Sequence, residues 1–290
     1  CIGEGEIAFP AYLDLLAEKR PQGPIDNLWI KTPAGSILRG RQAPFIQDLD
    51  SLPFCDKRLL EDAQDMGGNY YIMTGRGCPL ACTYCFNSYW SKIPEKPRGH
   101  YLRRRSVENV LAELRLAKRR YGIRTVEFFD DTFTFNKPWN LEFLSAYRRE
   151  IGLPFIINTH PMFLDEELIA ALVAAGCEQV CLGIQSVDEH YRQTMLQRVE
   201  TNERIERSLT LLDQSGLPYS LDHILGLPGE PIESHERALA FYGRHKPQRI
   251  GSFYLKYFPG TELTRLAVER GWLTAAQLAN LEDGKGHDYG

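Results

Sequence analysis

Residues 74–87 read TGRGCPLACTYCFN and place Cys78, Cys82 and Cys85 within eight positions. Cysteine is scarce in this chain, 7 of 290 residues, so three at that spacing call for a chemical reason. Thiolates this close repel one another unless a cation or cluster neutralises them, and the stretch therefore reads first as a metal loop. Zinc sites mostly repeat a cysteine pair or add histidine at a set spacing, and no Cys or His completes a four-ligand set nearby. Ordinary iron–sulfur clusters take four cysteines. Three suggest a four-iron cluster with one iron left for a ligand that is not protein. The plain alternative is three structural cysteines in a loop.

Composition bounds the surroundings of that loop. The hydrophobic and charged fractions, 43% and 25%, are those of an ordinary globular protein. No apolar run approaches the 18 residues of a membrane span, and no signal peptide opens the chain. An odd, partly clustered set of cysteines does not resemble a disulfide framework, so a reducing cytoplasm is expected. The net charge of −4 argues against a broad nucleic-acid surface. The chain opens CIGEGE without an initiator Met and is read as a piece of a longer protein.

Texture divides the chain. Residues 7–20 carry Phe9, Leu13, Leu16 and Ala17 at helical spacing. Residues 21–69 are rich in Pro, Gly and Asp and read as a linker laid on the main domain, with a hairpin pairing 28–32 with 36–39. From Tyr70 onward, six β-type runs alternate with helical patterns: 70–74, 125–129, 155–158, 179–184, 220–225 and 252–257. Ser106 and Asp165 are the N-caps of two of the helices, and Gly176 stops the second. Such alternation predicts an α/β fold with a parallel sheet: a partial (β/α)6 TIM-like barrel with an N-terminal extension. The barrel is expected over 70–271, with 272–290 as a C-terminal tail. Active sites in barrels form at the C-terminal strand edge, so strand-end residues carry the weight.

C-x3-C-x2-C with an aromatic residue before the last Cys resembles the cluster loop of the radical S-adenosylmethionine (radical SAM) enzymes. RGCPLACTYC is most similar to the branch whose members often carry an N-terminal cobalamin-binding domain. GEGE resembles the last strand–helix unit of that domain, so residues 1–20 are taken as its remnant. The resemblance implies that Cys78, Cys82 and Cys85 hold a [4Fe-4S] cluster whose open iron binds SAM. It also implies SAM contacts at Tyr84 beside the adenine and at Asp130 and Asp131 toward the methionine ammonium. Gln185 and Ser186 are suited to a ribose or carboxylate, and Arg198 resembles the partner of the methionine carboxylate. Gly226 in LGLPGE and Pro259 in FPGT resemble the adenine-side strand ends. His160 is a candidate substrate contact. Cys55, Cys177 and Cys181 read as packing residues, and Arg98, Arg103, Arg104 and Arg105 as a solvated basic face.

The resemblance implies reductive cleavage of SAM to a 5′-deoxyadenosyl radical acting on a small-molecule substrate. Cobalamin is a candidate third cofactor, with methyl transfer, cyclisation or another rearrangement as outcomes. A flavodoxin- or ferredoxin-type donor is the implied electron source. Two alternatives stand beside this reading: a tRNA methylthiotransferase-like radical SAM enzyme, and a non-catalytic iron–sulfur electron carrier.

Overall fold

The computed structural model describes residues 1–18, 23–58, 68–92 and 99–285. Ahead of the barrel lie helix α1 (Ala8–Ala17) and the antiparallel pair β1 (Trp29–Lys31) and β2 (Ile37–Arg39), which is the predicted hairpin. Six further strands form one sheet: β3 (Asn69–Ile72), β6 (Thr125–Phe128), β7 (Phe155–Thr159), β8 (Cys177–Gln185), β9 (Tyr219–Leu225) and β10 (Arg249–Tyr254). They pair in chain order, and every neighbouring pair is parallel. Sequential parallel order with crossovers of one hand puts all the helices on one side of the sheet and leaves the other side as an open lumen. Between β3 and β6 lies a short antiparallel pair, β4 (Gly75–Arg76) and β5 (Arg103–Arg104), which brackets the cysteine loop.

Alternation along the strands separates the two faces. Val126 and Phe128, Phe155 and Ile157, Val180 and Leu182, and Leu221 are fully buried. They pack with helices α3 (Val107–Tyr121), α4 (Lys137–Glu150), α5 (Glu166–Ala175) and α7 (Asn202–Ser215) in one core. The residues between them, including Glu127, Asn158, Cys181 and Asp222, are half-buried and line the lumen. Local caps set the helix frames: Ser106 and Asp165 accept from Asn109 N and Leu168 N, and Gly122 and Gly176 close the helices at φ +61° and +90°.

Phe128 is the hub of the core. Its ring meets Phe133, Phe143, Tyr147 and Phe155 at centroid separations of 4.9–6.1 Å. Phe128→Ala is expected to cost about 3–5 kcal/mol, since so many rings cannot all collapse into the cavity. Urea unfolding checks this: the midpoint should fall with the slope unchanged.

Three readings need adjusting. The sixth strand lies three residues earlier than 252–257, because its partner β9 ends at Leu225 and turns at Gly226 (φ +75°). Helix α1 forms, but Phe9, Leu13 and Leu16 face outward and it buries only Ala8, against Leu28 and Ile30. The arginine run is not a solvated face. Arg103 is buried on Glu4 and the Ile46 carbonyl; Arg104 lies 3.9 Å from the Trp139 ring and also over Phe133 and Phe135; Arg105 pairs with Glu113 at 2.6 Å. Arg98 falls outside the described residues. Among the described residues, no helix is long and apolar enough to cross a membrane.

Candidate cofactor site

The cysteine loop leaves β4 at the C-terminal edge of β3 and is held from several sides. Arg76 and Arg103, register partners on β4 and β5, share the carboxylate of Glu4 at 2.6 and 2.7 Å. The GEGE stretch is thereby tied to the base of the loop. At mid-loop Thr83 accepts from Leu263 N through its carbonyl and donates from its own N–H to the Leu196 carbonyl, at 3.0 and 3.1 Å. Its hydroxyl donates to the Met195 carbonyl at 2.7 Å. Helix α2 (Phe86–Lys92) then carries the chain away directly after Cys85.

Burial pushes the Cys78 thiol up, although Thr132 Oγ1 lies 3.5 Å from its sulfur, and pushes Cys85 up to about 11. Cys82 and the Asp131 carboxylate add to both shifts. All three cysteines are free thiols, and their deprotonation needs compensating positive charge. Among the described residues no three His, Cys, Asp or Glu side chains gather as tightly as a single ion requires. A cubane offers each thiolate its own iron, so three flexible thiols on one clamped loop fit a cluster.

Arg198 joins this loop to the lumen. It lies in the segment after helix α6 (Glu189–Thr194) and is 4% exposed. Its Nη1 donates to Tyr84 Oη at 3.2 Å, its Nη2 to the Gly183 carbonyl at 2.6 Å and its Nε to Glu200 Oε1 at 2.6 Å. Burial alone would lower its pKa; Tyr84, Cys82 and Glu200 outweigh that and hold it above its ordinary value. Gln185 stands at φ +72° beside an irregularity in β8, and its amide fills the space over Gly183, where a Cβ would come within 2.5 Å of its nitrogen. Tyr84, Gln185 and Arg198 are thus brought together around Gly183, next to the cysteines.

The other predicted residues separate. Asp130 is 4% exposed and gives both oxygens to Thr74, at 3.0 Å from its N–H and 2.7 Å from its hydroxyl. Arg104 donates to the same hydroxyl at 2.9 Å. Asp130 therefore pins the end of β3 instead of facing a ligand, and Asn136 caps α4. Asp131 is exposed, and of the two it is the carboxylate open to a ligand. Ser186 is fully buried between Glu230 and the Asp188 N–H, so it buckles two strand ends together and does not face the lumen. Gly226 and Pro259 stand exposed on the rim. His160 is 3% exposed, accepts from Met162 N through Nδ1 and sits behind Arg198, which removes it from direct substrate contact.

Sequence reasoning missed Glu200 and Asp222. Glu200 follows Arg198 by two positions in a segment that gives no periodic signal. Asp222 lies on the lumen face between register partners Gly183 and Gly251, and a Cβ on Gly251 would come within 2.8 Å of its carboxylate. The period-2 alternation of SLDHIL could have placed it there.

The Radical SAM superfamily model matches residues 72–242, and the chain belongs to that superfamily. The domain implies a [4Fe-4S] cluster and SAM as its cofactors. The chain is 28% identical over 280 residues to an uncharacterized methyltransferase of Pyrococcus horikoshii, covering 93% of this chain and 58% of that protein. To the cytidylyl-2-hydroxyethylphosphonate methyltransferase of Streptomyces wedmorensis it is 24% identical over 294 residues, covering 93% and 51%. Its fold is that of the radical SAM methyltransferase TsrM of Kitasatospora setae, solved with tryptophan and a SAM analogue (TM-score 0.73, 20% identity, 93% of this chain and 53% of that one). TsrM has also been solved with cobalamin and a [4Fe-4S] cluster. The chain spans about half the length of the curated relatives it matches.

Proposed function

We propose that this chain is the radical-generating barrel of a cobalamin-associated methyltransferase acting on a small molecule. The observation that carries the reading is the contact between Tyr84, beside Cys85, and Arg198, which sets a charged guanidinium within electrostatic reach of Cys82. When bound, the cluster and SAM supply a reductive cleavage of the sulfonium and a radical able to attack an unactivated C–H bond. The chain's own residues bind and orient. Cys78, Cys82 and Cys85 hold the cluster; Arg198 takes the methionine carboxylate through the free hydrogen of Nη1, as a charge-assisted bond. Gln185 and Asp131 are polar groups for the remainder of SAM, and Gly226 and Pro259 border its adenine side. The lumen between Phe129, Asn158 and Asp222 receives the substrate. Cobalamin is an expected cofactor, supported by its presence in solved TsrM, which shares the fold; a flavodoxin- or ferredoxin-type electron donor is the expected partner.

Anaerobic reconstitution tests this. The protein should take up about four irons. After reduction by dithionite it should convert SAM to 5′-deoxyadenosine, and to S-adenosylhomocysteine when cob(I)alamin is supplied as the acceptor of the methyl group. Zinc uptake without iron, or an iron-loaded protein that does not bind SAM, would overturn the proposal.

A further inference from the structure

Behind Arg198 lies a group of buried charges with no evident role in the fold. Glu200 is 2% exposed, His160 3% and Arg192 fully buried. Glu200 Oε1 accepts from Arg198 Nε at 2.6 Å and lies 3.7 Å from Arg192 Nε. Arg192 is held on its far side by the Ser186 carbonyl and Asn202. Among the described residues Glu200 Oε2 has no hydrogen-bond partner, and His160 Nε2 lies 3.3 Å away, within ion-pair distance. The Met162 N–H points at His160 Nδ1, so the ring hydrogen belongs on Nε2, facing Oε2. Arg198 Nη2 lies 2.7 Å from the same Nε2 and spends a hydrogen on the Gly183 carbonyl. A polar network this deep is costly unless complete, and nothing in the packing of β7 or β8 requires it.

The bonds leave Arg198 little freedom. Nε is spent on Glu200, one Nη2 hydrogen on Gly183 and one Nη1 hydrogen on Tyr84. Among the described residues the second Nη1 hydrogen has no partner, and it belongs to the nitrogen that meets Tyr84 of the cysteine loop.

We propose that His160 and Glu200 are positioning residues: a buried dyad that locks the Arg198 guanidinium with the unspent Nη1 hydrogen aimed at the carboxylate of SAM. The inference rests on the proposed role of Arg198. The dyad touches neither SAM nor the cluster. It fixes the angle at which a single donor meets an anion, where an unrestrained arginine would rotate among several arrangements. His160 keeps Glu200 from turning, and Glu200 keeps Arg198 from turning.

The test compares two ligands on the iron-loaded protein: SAM, and 5′-deoxy-5′-methylthioadenosine, which keeps the nucleoside but lacks the carboxylate. Equilibrium affinities are measured for wild type, Glu200→Gln, His160→Gln and the double variant, with iron content and cluster spectrum recorded for each. The dyad predicts wild-type iron content, about tenfold or more weaker SAM binding in each single variant, and unchanged binding of the methylthionucleoside. It also predicts that the double variant is no worse than the poorer single one, because both substitutions disable one device. Parallel loss for both ligands would mean a merely structural role and would overturn the dyad, as would undiminished SAM affinity. Should the iron-loaded wild type fail to bind SAM, the proposed function falls with it; should it bind SAM while the variants lose no selectivity, the dyad alone falls.

Discussion

Cys82→Ala is expected to reduce cluster iron and SAM-derived products to background while the barrel remains folded. Cys82 is the most buried of the three thiols, 7% exposed, and sits where the loop is clamped on both sides through its neighbour Thr83. Those clamps are backbone and hydroxyl bonds that alanine at position 82 leaves intact, so the loop keeps its path and loses only a ligand. Cys78→Ala and Cys85→Ala should behave alike, because a three-thiolate cluster has no spare ligand. Cys177→Ala provides the contrast. Cys177 opens β8 with its thiol buried in the helix-side core, and burial holds its pKa far above the usual range, so it packs as a small apolar group. That variant should keep its iron and its products and lose only some thermal stability. Iron analysis and product chromatography on the four variants decide the matter; retention of full iron by Cys82→Ala would remove it from the cluster.

The second large effect is on stability. Arg198→Met should destabilise the fold by about 3–5 kcal/mol, because it strands the Glu200 carboxylate in the interior with Arg192 at 3.7 Å as its remaining cation. Replacing both partners, as in Arg198→Met with Glu200→Leu, should recover much of the loss, since the cost lies in the unpaired charge and not in the lost volume. Acid should reveal the same charge. Burial works to raise the pKa of Glu200, but the hydrogen bond from His160 and the charge of Arg198 bring it down to about 2 from an ordinary 4.5. A depressed carboxylate contributes stability that is complete above 4.5 and is lost as pH falls toward 2. Without Arg198 the carboxylate protonates more readily, so the deficit of the variant relative to wild type should be largest near neutrality and should shrink below 4.5. Urea midpoints at several pH values check both the size and the direction. A deficit independent of pH would show that lost packing, not stranded charge, is the cause.

The three cysteines, the alternation of strands and helices, the caps at Ser106 and Asp165 and the hairpin at 29–39 were all legible, because each depends on residues a few positions apart. Tyr84, Gln185 and Arg198 were legible as strand-end or loop residues with suitable chemistry. Asp130 and Ser186 were equally suitable by that standard, yet each is consumed by a partner distant in the chain: Thr74 is 56 positions from Asp130 and Glu230 is 44 from Ser186. The arginines after the cysteine loop illustrate the same limit. Three cations in a row suggest solvent, but Arg103, Arg104 and Arg105 are absorbed by Glu4, an aromatic cage and Glu113.

By itself, then, the sequence determined the kind of loop, the kind of barrel and the strand ends from which a site is built, since spacing, periodicity and capping are local properties of a chain. The tertiary structure decided which of those strand-end groups remain free to meet a ligand. Tyr84 and Arg198, 114 residues apart, share a hydrogen bond, and His160 and Glu200 stand behind the arginine. No local pattern encodes those contacts. They exist because the sheet brings β7 and β8 side by side and closes the cysteine loop over them, and a buried polar group takes whichever partner that packing supplies.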